Sequence, residues 1–210
     1  MADLDSIKET LKKGDIEKLK AMVQGELDQG VAATEILNDG LVAGMDDVGA
    51  MMESGEMFIP EVLRSAKAMG AAVEVLKPLL GEDEISASGK IVIGTVKGDL
   101  HDIGKNLVNM MLQSSGFEVF DLGVDVSPEQ FVAAIKENNP DVVGFSALLT
   151  TTMEMMQKTV DAVVESGYRD QLKIIIGGAP VTQKFADEIG ADGYAPDAGS
   201  AIKLAKSLVA

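Results

Sequence analysis

The apolar residues of this chain change their period near residue 81, and no single globular layer accommodates both patterns. Up to that point they recur at helical spacing: Ile16, Leu19, Met22, Val23 and Leu27 form one stripe, Leu37, Leu41, Met45 and Val48 a second, and Val62, Ala66, Met69, Val73 and Leu76 a third. Residues 4–11 add a short first helix. Breaks at Gly14, Gln29-Gly30 and Glu53-Ser54-Gly55 separate four helices, Pro60 opens the last, and Pro78 with Gly81 closes it. These predict a small four-helix bundle.

From residue 91 the pattern becomes short unbroken apolar runs, at residues 91–96, 142–145 and 174–176, as in strands buried on both faces of a parallel sheet. Helix-length segments alternate with them, at residues 104–113, 151–165, 181–189 and 199–208. A further helix is opened by Ser127-Pro128-Glu129-Gln130, with a capping Ser, Pro at the first helical position and Gln in the capping-box place. Weaker strands at residues 118–122 and 193–194 complete five units. Such alternation builds a doubly wound parallel five-stranded sheet, expected in the flavodoxin-like order 2-1-3-4-5, whose ligands bind beyond the carboxyl ends of the strands. The expected class is α + α/β: a helical domain over residues 1–84, a linker over 85–90 and a Rossmann-like domain over 91–210. The polar, acidic run GEDEISASG at 81–89 carries the connection.

Composition removes several function classes. The 210 residues include no cysteine, which excludes disulfides, thiolate metal sites, iron–sulfur clusters and cysteine nucleophiles. A formal net charge of -16 argues against a nucleic-acid partner, because that affinity rests on Lys and Arg neutralising phosphates. No apolar stretch approaches the roughly 20 residues of a membrane span, and MADLDSIKET has no basic region followed by an apolar block, so no membrane partner and a cytoplasmic location are expected. Two features stand out: a single histidine, and twelve methionines beside six Phe, two Tyr and no Trp.

The histidine lies in the loop after strand one, where KIVIGTV runs into Lys97-Gly98-Asp99-Leu100-His101-Asp102-Ile103-Gly104. Asp99 and His101 are two apart, so the carboxylate can meet one imidazole nitrogen while the other faces the ligand crevice. A carboxylate so placed fixes the tautomer and raises basicity at the free nitrogen. An isolated DxH is more often a capping Asp beside an exposed His. Here the sole imidazole sits at the functional end of strand one, and Gly104 lets backbone approach a bulky ligand. A zinc site wants three protein ligands, which one His without Cys does not supply. One His suffices where another molecule brings the rest, as a corrin ring does with four equatorial nitrogens.

Asp99, His101 and Gly104 match the DxHxxG signature, and the chain resembles the cobalamin-binding proteins that carry it, in which this His displaces the cofactor's own benzimidazole from cobalt. Ser146-Ala147-Leu148 after strand three is similar to the family's SxL element, and Gly177-Gly178 after strand four to its paired glycines. The resemblance implies a cobalamin or related corrinoid bound base-off and His-on, with His101 as the metal ligand. Gly98, Asp99, Asp102, Ile103, Gly104, Ser146, Leu148, Thr150, Thr152, Gly177 and Gly178 would then surround the cofactor. Gly177 and Gly178 either leave a slot for the displaced nucleotide tail or form an ordinary strand-to-helix turn. Ser146 either offers its hydroxyl at that wall or bonds backbone. Residues 150–152, three threonines, suit helix capping. In the family a hydroxyl four to six residues past the start of SxL meets the signature Asp, and Thr152 is expected in that place ahead of Thr150, acting with Asp99 and His101.

Residues 51–69, MMESGEMFIPEVLRSAKAM, resemble the helical cap that precedes the cobalamin domain in methionine synthase and in the small corrinoid proteins of methanogens and acetogens. Phe58 falls at the position that shields the upper corrin face, with plain core as its other reading; Met51, Met52 and Met57 suit an adaptable covering surface. The resemblance spans nearly the whole chain and implies a methyl carrier. Co(I) takes a methyl group from a substrate-specific methyltransferase, a second methyltransferase delivers it to tetrahydrofolate or a thiol coenzyme, and a reductive activase serves as a third partner. Loss of the lower ligand on return to Co(I) would be coupled to proton uptake by the Asp99–His101 pair. No second constellation in the chain is suited to activating a methyl donor. Competing readings are the cobalamin-binding subunit of an adenosylcobalamin mutase, which shares DxHxxG but lacks the cap, and a cobalamin sensor, which adds a basic DNA-binding module. A receiver domain shares the sheet but wants an acidic cluster after strand one. Methanol, methylamine, betaine and aryl methyl ethers all remain open as donors.

Overall fold

The computed structural model describes residues 3–80 and 88–209, and the chain divides into two compact units, Met1–Ala87 with Gln113–Gly116 and Ser88–Leu112 with Phe117–Ala210. Residues 81–87, most of the GEDEISASG run and the first half of the expected linker at 85–90, lie outside the described residues.

The first unit is helical: α1 (Leu4–Lys13), α2 (Ile16–Asp28), α3 (Ala33–Glu35), a π-helical segment (Ile36–Val42), α4 (Ala43–Ser54), α5 (Ile59–Leu76) and a closing 3-10 turn (Lys77–Leu79). Local chemistry sets the ends. Asp3 and Asp15 cap α1 and α2 by accepting the backbone N–H of Ser6 and Lys18, and Gly14 and Gly55 take the left-handed conformation that stops α1 and α4. Most of the expected stripe residues point inward, with Leu19, Val23, Leu41, Met45, Val48, Val62 and Leu76 wholly buried, while Ile16 at the start of α2 is exposed and Met22, Leu27 and Val73 are half-buried. The predicted third helix is longer than its stripe and contains a π turn. Buried positions four apart fit either helical geometry, so the apolar spacing is silent on the difference. Gly40 and Gly44 line the face that meets α1: a Cβ on Gly44 would stand 2.8 Å from Leu11 Cδ2, and one on Gly40 3.2 Å from Ile7 Cγ2.

The second unit holds five parallel strands in the order β2-β1-β3-β4-β5: β1 (Lys90–Thr95), β2 (Glu118–Asp121), β3 (Val142–Ser146), β4 (Lys173–Gly177) and β5 (Gly193–Ala195). Helices α6 (Ile103–Ser114), α7 (Pro128–Asn138), α8 (Met153–Glu165), α9 (Gln183–Ile189) and α10 (Ala198–Val209) connect and follow them. The sheet order is the expected one, with element ends shifted by a residue or two. At the sheet's entrance the Gly89 carbonyl accepts the Glu118 N–H at 2.9 Å and the Lys90 N–H donates to Asp141 Oδ2 at 2.8 Å, so β1 begins at Lys90, inside the span expected as linker. The Ser127 cap forms with both halves of its box: Ser127 Oγ accepts the Gln130 N–H, and Gln130 Oε1 accepts the Ser127 N–H.

Register places function. Thr95 pairs with Ser146 and Ser146 with Gly177, so β1, β3 and β4 end level and their following loops start side by side. Beneath them Phe131 of α7 is wholly buried and meets Phe145 edge-on, ring centroids 4.8 Å apart. A Cβ on Gly94 of β1 would lie 2.8 Å from Phe131 Cζ and 3.1 Å from Cε1. The ring occupies the space a side chain would need. Gly94→Ala is therefore expected to lower stability by about 1–3 kcal/mol through overpacking, seen as a reduced urea midpoint with an unchanged denaturant slope.

Candidate functional site

Asp99 organises the loop after β1. Its N–H donates to the Val96 carbonyl at 3.1 Å, its own carbonyl accepts the Asp125 N–H at 3.0 Å, and Gly98 turns the chain at φ +83° while donating its N–H to Asp125 Oδ1 at 2.7 Å. The side chain is fully covered and receives five donors. Oδ1 accepts the His101 backbone N–H at 3.0 Å and lies 2.7 Å from His101 Nδ1. Oδ2 accepts the N–H of Leu148 at 2.7 Å and of Leu149 at 3.3 Å, and the Thr152 hydroxyl at 2.8 Å. Thr152 Oγ1 is also 2.9 Å from the Leu149 carbonyl. With one hydroxyl proton and two acceptors, the charged one takes the larger share.

Burial works to raise the Asp99 pKa, and the Leu148 N–H, the His101 ring and backbone and the Thr152 hydroxyl outweigh it, holding the carboxyl well below its ordinary 3.8. The group is a carboxylate, an acceptor only. The imidazole nitrogen against it must therefore carry hydrogen, which leaves Nε2 of the neutral ring with its lone pair. The ring side chain is 51% exposed, and buried Thr95 fixes its backbone by donating Oγ1 to the His101 carbonyl at 2.9 Å. Thr95 was not marked by any sequence motif.

The other expected residues divide by what they touch. Leu100, Ile103, Leu148 and Leu149 expose their side chains on the two loops that meet at Asp99. Asp102 accepts Asn106 Nδ2 at 3.0 Å, and among the described residues a Cβ on Gly104 would meet no atom within 4 Å from outside its own helix turn, so no packing contact there requires glycine. Thr150 opens the 3-10 turn Thr150–Thr152 and is exposed. Ser146, half-buried, accepts the Val96 N–H through its carbonyl at 3.0 Å. The two glycines differ. At Gly178, φ is +133° and a Cβ would fall 1.8 Å from the Ala147 carbonyl oxygen, so the close approach of protein backbone already demands glycine; at Gly177 the nearest atom is 3.1 Å away. In the helical unit, Phe58 precedes α5, donates its backbone N–H to Glu61 Oε2 at 2.9 Å, and is 67% exposed, which removes the core reading.

Two "B12 binding domain" family models match, one over residues 89–203 and another over residues 3–77. The chain is 48% identical to "Dimethylamine corrinoid protein 1" of Methanosarcina acetivorans, over 96% of this chain and 93% of that protein. Among solved structures it is similar to a cobalamin-binding protein from Desulfitobacterium hafniense DCB-2, with TM-score 0.86, 37% identity and all of both chains covered. It is also similar to a chain in the methanol:cobalamin methyltransferase complex from Methanosarcina barkeri, with TM-score 0.85, 30% identity, and 97% of this chain and 78% of that one covered. The chain belongs to the corrinoid-protein family.

The site fits what a corrinoid protein must hold. Among the described residues no group of three or more His, Cys, Asp or Glu could hold a bare metal ion. One imidazole with a free Nε2, apolar side chains on the adjoining loops and an uncrowded Gly104 suit a large ring that brings its own metal and equatorial donors. Among the described residues no helix is long and apolar enough to cross a membrane.

Asp99→Asn sets an amide N–H₂, itself a donor, against donors that in the wild type meet a carboxylate oxygen, and is expected to cost about 1–3 kcal/mol of stability without cofactor. Because the folded-state pKa is depressed, the carboxylate's contribution is present above 3.8 and is lost as pH falls below it. The stability gap between the two proteins, from urea unfolding, should narrow below about pH 4. A gap independent of pH would show that the Asp99 charge contributes nothing.

Proposed function

We propose that this corrinoid protein carries a methyl group between a methyltransferase specific for a methylated amine and a second methyltransferase, with His101 Nε2 as the lower ligand of cobalt. The observation that carries the reading is the buried Asp99 carboxylate, which commits Nδ1 to its own hydrogen bond and leaves Nε2 as the ring's one free lone pair. When bound, the corrin cobalt supplies the nucleophile that accepts the methyl group and later releases it.

The chain's own residues hold and tune that ligand. Asp99 polarises Nδ1–H and strengthens donation at Nε2. The N–H groups of Leu148 and Leu149 and the Thr152 hydroxyl keep Asp99 charged and in place. The imidazole is tethered through one 2.7 Å side-chain bond, so the ring retains freedom to approach or leave the metal while its carboxylate stays fixed. Gly98, Asp102, Ile103 and Gly104 are assigned to the lower face, and Ser146, Leu148, Thr150, Gly177 and Gly178 to the nucleotide tail, since both sets leave level strand ends. The identity to a dimethylamine corrinoid protein supports an amine as the donor, and the likeness to a methanol methyltransferase complex supports docking on a methyltransferase subunit. The acceptor methyltransferase and a reductive activase complete the proposed partners.

Reconstitution tests the function. The reduced protein should accept a methyl group from dimethylamine in the presence of a dimethylamine-specific methyltransferase, and not from methanol with the methanol-specific enzyme; the opposite result would move the donor class. Transfer from neither would overturn the amine assignment, and failure with betaine and aryl methyl ether systems as well would leave the mutase or sensor reading in its place. For the ligand, His101→Gly should abolish nitrogen coupling from a protein imidazole in the Co(II) paramagnetic resonance spectrum, and an unchanged spectrum would refute the assignment. Phe58→Ala should leave corrinoid bound while the methylated protein loses its methyl group faster under light. Equal rates would deny Phe58 a shielding role.

A further inference from the structure

Lys105 has no part in the mechanism above, yet its side chain is 1% exposed at the first turn of α6. All three ammonium hydrogens have acceptors: Asp121 Oδ1 at 2.7 Å, Asp121 Oδ2 at 2.6 Å and Asn106 Oδ1 at 2.7 Å. Asp121, at the carboxyl end of β2, also accepts the Gly123 N–H at 2.9 Å and Asn109 Nδ2 at 3.0 Å. Burial works to raise the Asp121 pKa, and Lys105 and the Gly123 N–H outweigh it and lower it. Two arms run from this pair to the histidine. In one, Asn106 Nδ2 donates to Asp102 Oδ2 at 3.0 Å and the Asn106 N–H to the Asp102 carbonyl at 2.7 Å, fixing the residue after His101. In the other, the Gly123 carbonyl accepts the Thr95 N–H at 2.9 Å, and Thr95 Oγ1 donates to the His101 carbonyl at 2.9 Å.

We propose that the Lys105–Asp121 pair is a positioning device for His101, holding residues 101 and 102 from the β2 side while Asp99 holds the ring from the β3 side. If the pair only fastened α6 to β2, packed apolar side chains would serve as well, since a buried ion pair gains little or nothing over them in stability. What the charges add is direction, because three donors and two carboxylate oxygens permit one arrangement of the turn. The placement rests on His101 being the working residue of the site, but it operates without the cofactor.

The single histidine makes the test clean, because ¹⁵N-histidine labelling yields one imidazole. In the cofactor-free full chain, Lys105→Met/Asp121→Leu should keep a cooperative thermal transition while the Nδ1 proton exchanges with water at least about tenfold faster than in wild type. Asn106→Ala, on an exposed residue, removes the side-chain bond of the Asp102 arm and one of the three Lys105 acceptors, leaves the Asp121 contacts and the Thr95 arm in place, and should produce a smaller acceleration. Exchange equal to wild type in a folded double variant would overturn the proposal. If the double variant does not fold, Asn106→Ala decides alone: acceleration supports the proposal and an unchanged rate overturns it. Accelerated exchange in these variants, combined with no imidazole coupling to Co(II) in wild type, would uphold the positioning role and remove the ligand assignment instead.

Discussion

A carboxylate with no route to water is tolerable only if donors surround it, and Asp99 obtains five from two loops about fifty residues apart in sequence. That requirement shapes the carboxyl edge of the sheet. The loop after β3 must present the Leu148 and Leu149 N–H groups together and then turn tightly enough for Thr152 to reach the same oxygen, which the 3-10 turn Thr150–Thr152 achieves. The loop after β1 must reverse at Gly98 so that Asp99 points inward and His101 outward. Losing any one donor leaves the charge less compensated, so the arrangement is held or lost largely as a unit.

The sheet makes this possible by ending its strands level. Parallel pairing of Thr95, Ser146 and Gly177 starts three loops in one row, and the loops then bond one another: Val96 N–H to the Ser146 carbonyl, Ala147 N–H to the Gly177 carbonyl. Gly178 follows from the same crowding, since the Ala147 carbonyl occupies the place its Cβ would take. One of the paired glycines thus serves the packing of protein on protein, whatever it also offers a ligand.

Much of this was legible in the sequence because periodicity and punctuation are local. The change of period near residue 81 and the Ser127 box rest on neighbours along the chain, and the strand order followed from the doubly wound class that strand–helix alternation implies. The Asp99–His101 contact was legible for the same reason, two residues in one turn. Thr152 as the hydroxyl at Asp99 came from the family resemblance; three adjacent threonines carry no internal mark of which one will face a carboxylate. The π turn at Ile36–Val42 was hidden because buried residues four apart suit either helix. Thr95 was hidden because a threonine ending an apolar strand carries no mark that its hydroxyl will reach a carbonyl six residues on, and the Lys105–Asp121 pair because Asp121 arrives from another strand and a lysine on a helix ordinarily reads as a solvated surface charge.

The site is asymmetric: the Asp99 side is held fast and the Nε2 side is not, which suits the proposed role of His101 as a ligand that comes and goes. On the Asp99 side the atoms are covered and bonded, so displacement there would expose a buried charge to incomplete solvation. On the Nε2 side, among the described residues, no hydrogen bond restrains the nitrogen, and the ring is half exposed. Deformation will therefore concentrate in the imidazole, whose rotation strains one hydrogen bond, and not in the carboxylate, whose motion would break five. In the proposed ligand role, a rigid charge behind a movable donor would let the protein change how strongly His101 binds without remaking the loops that hold it. The Thr95 and Lys105 arms extend the same division to the backbone, bonding residues 101 and 102 from behind so that the remaining freedom lies in the half-exposed imidazole.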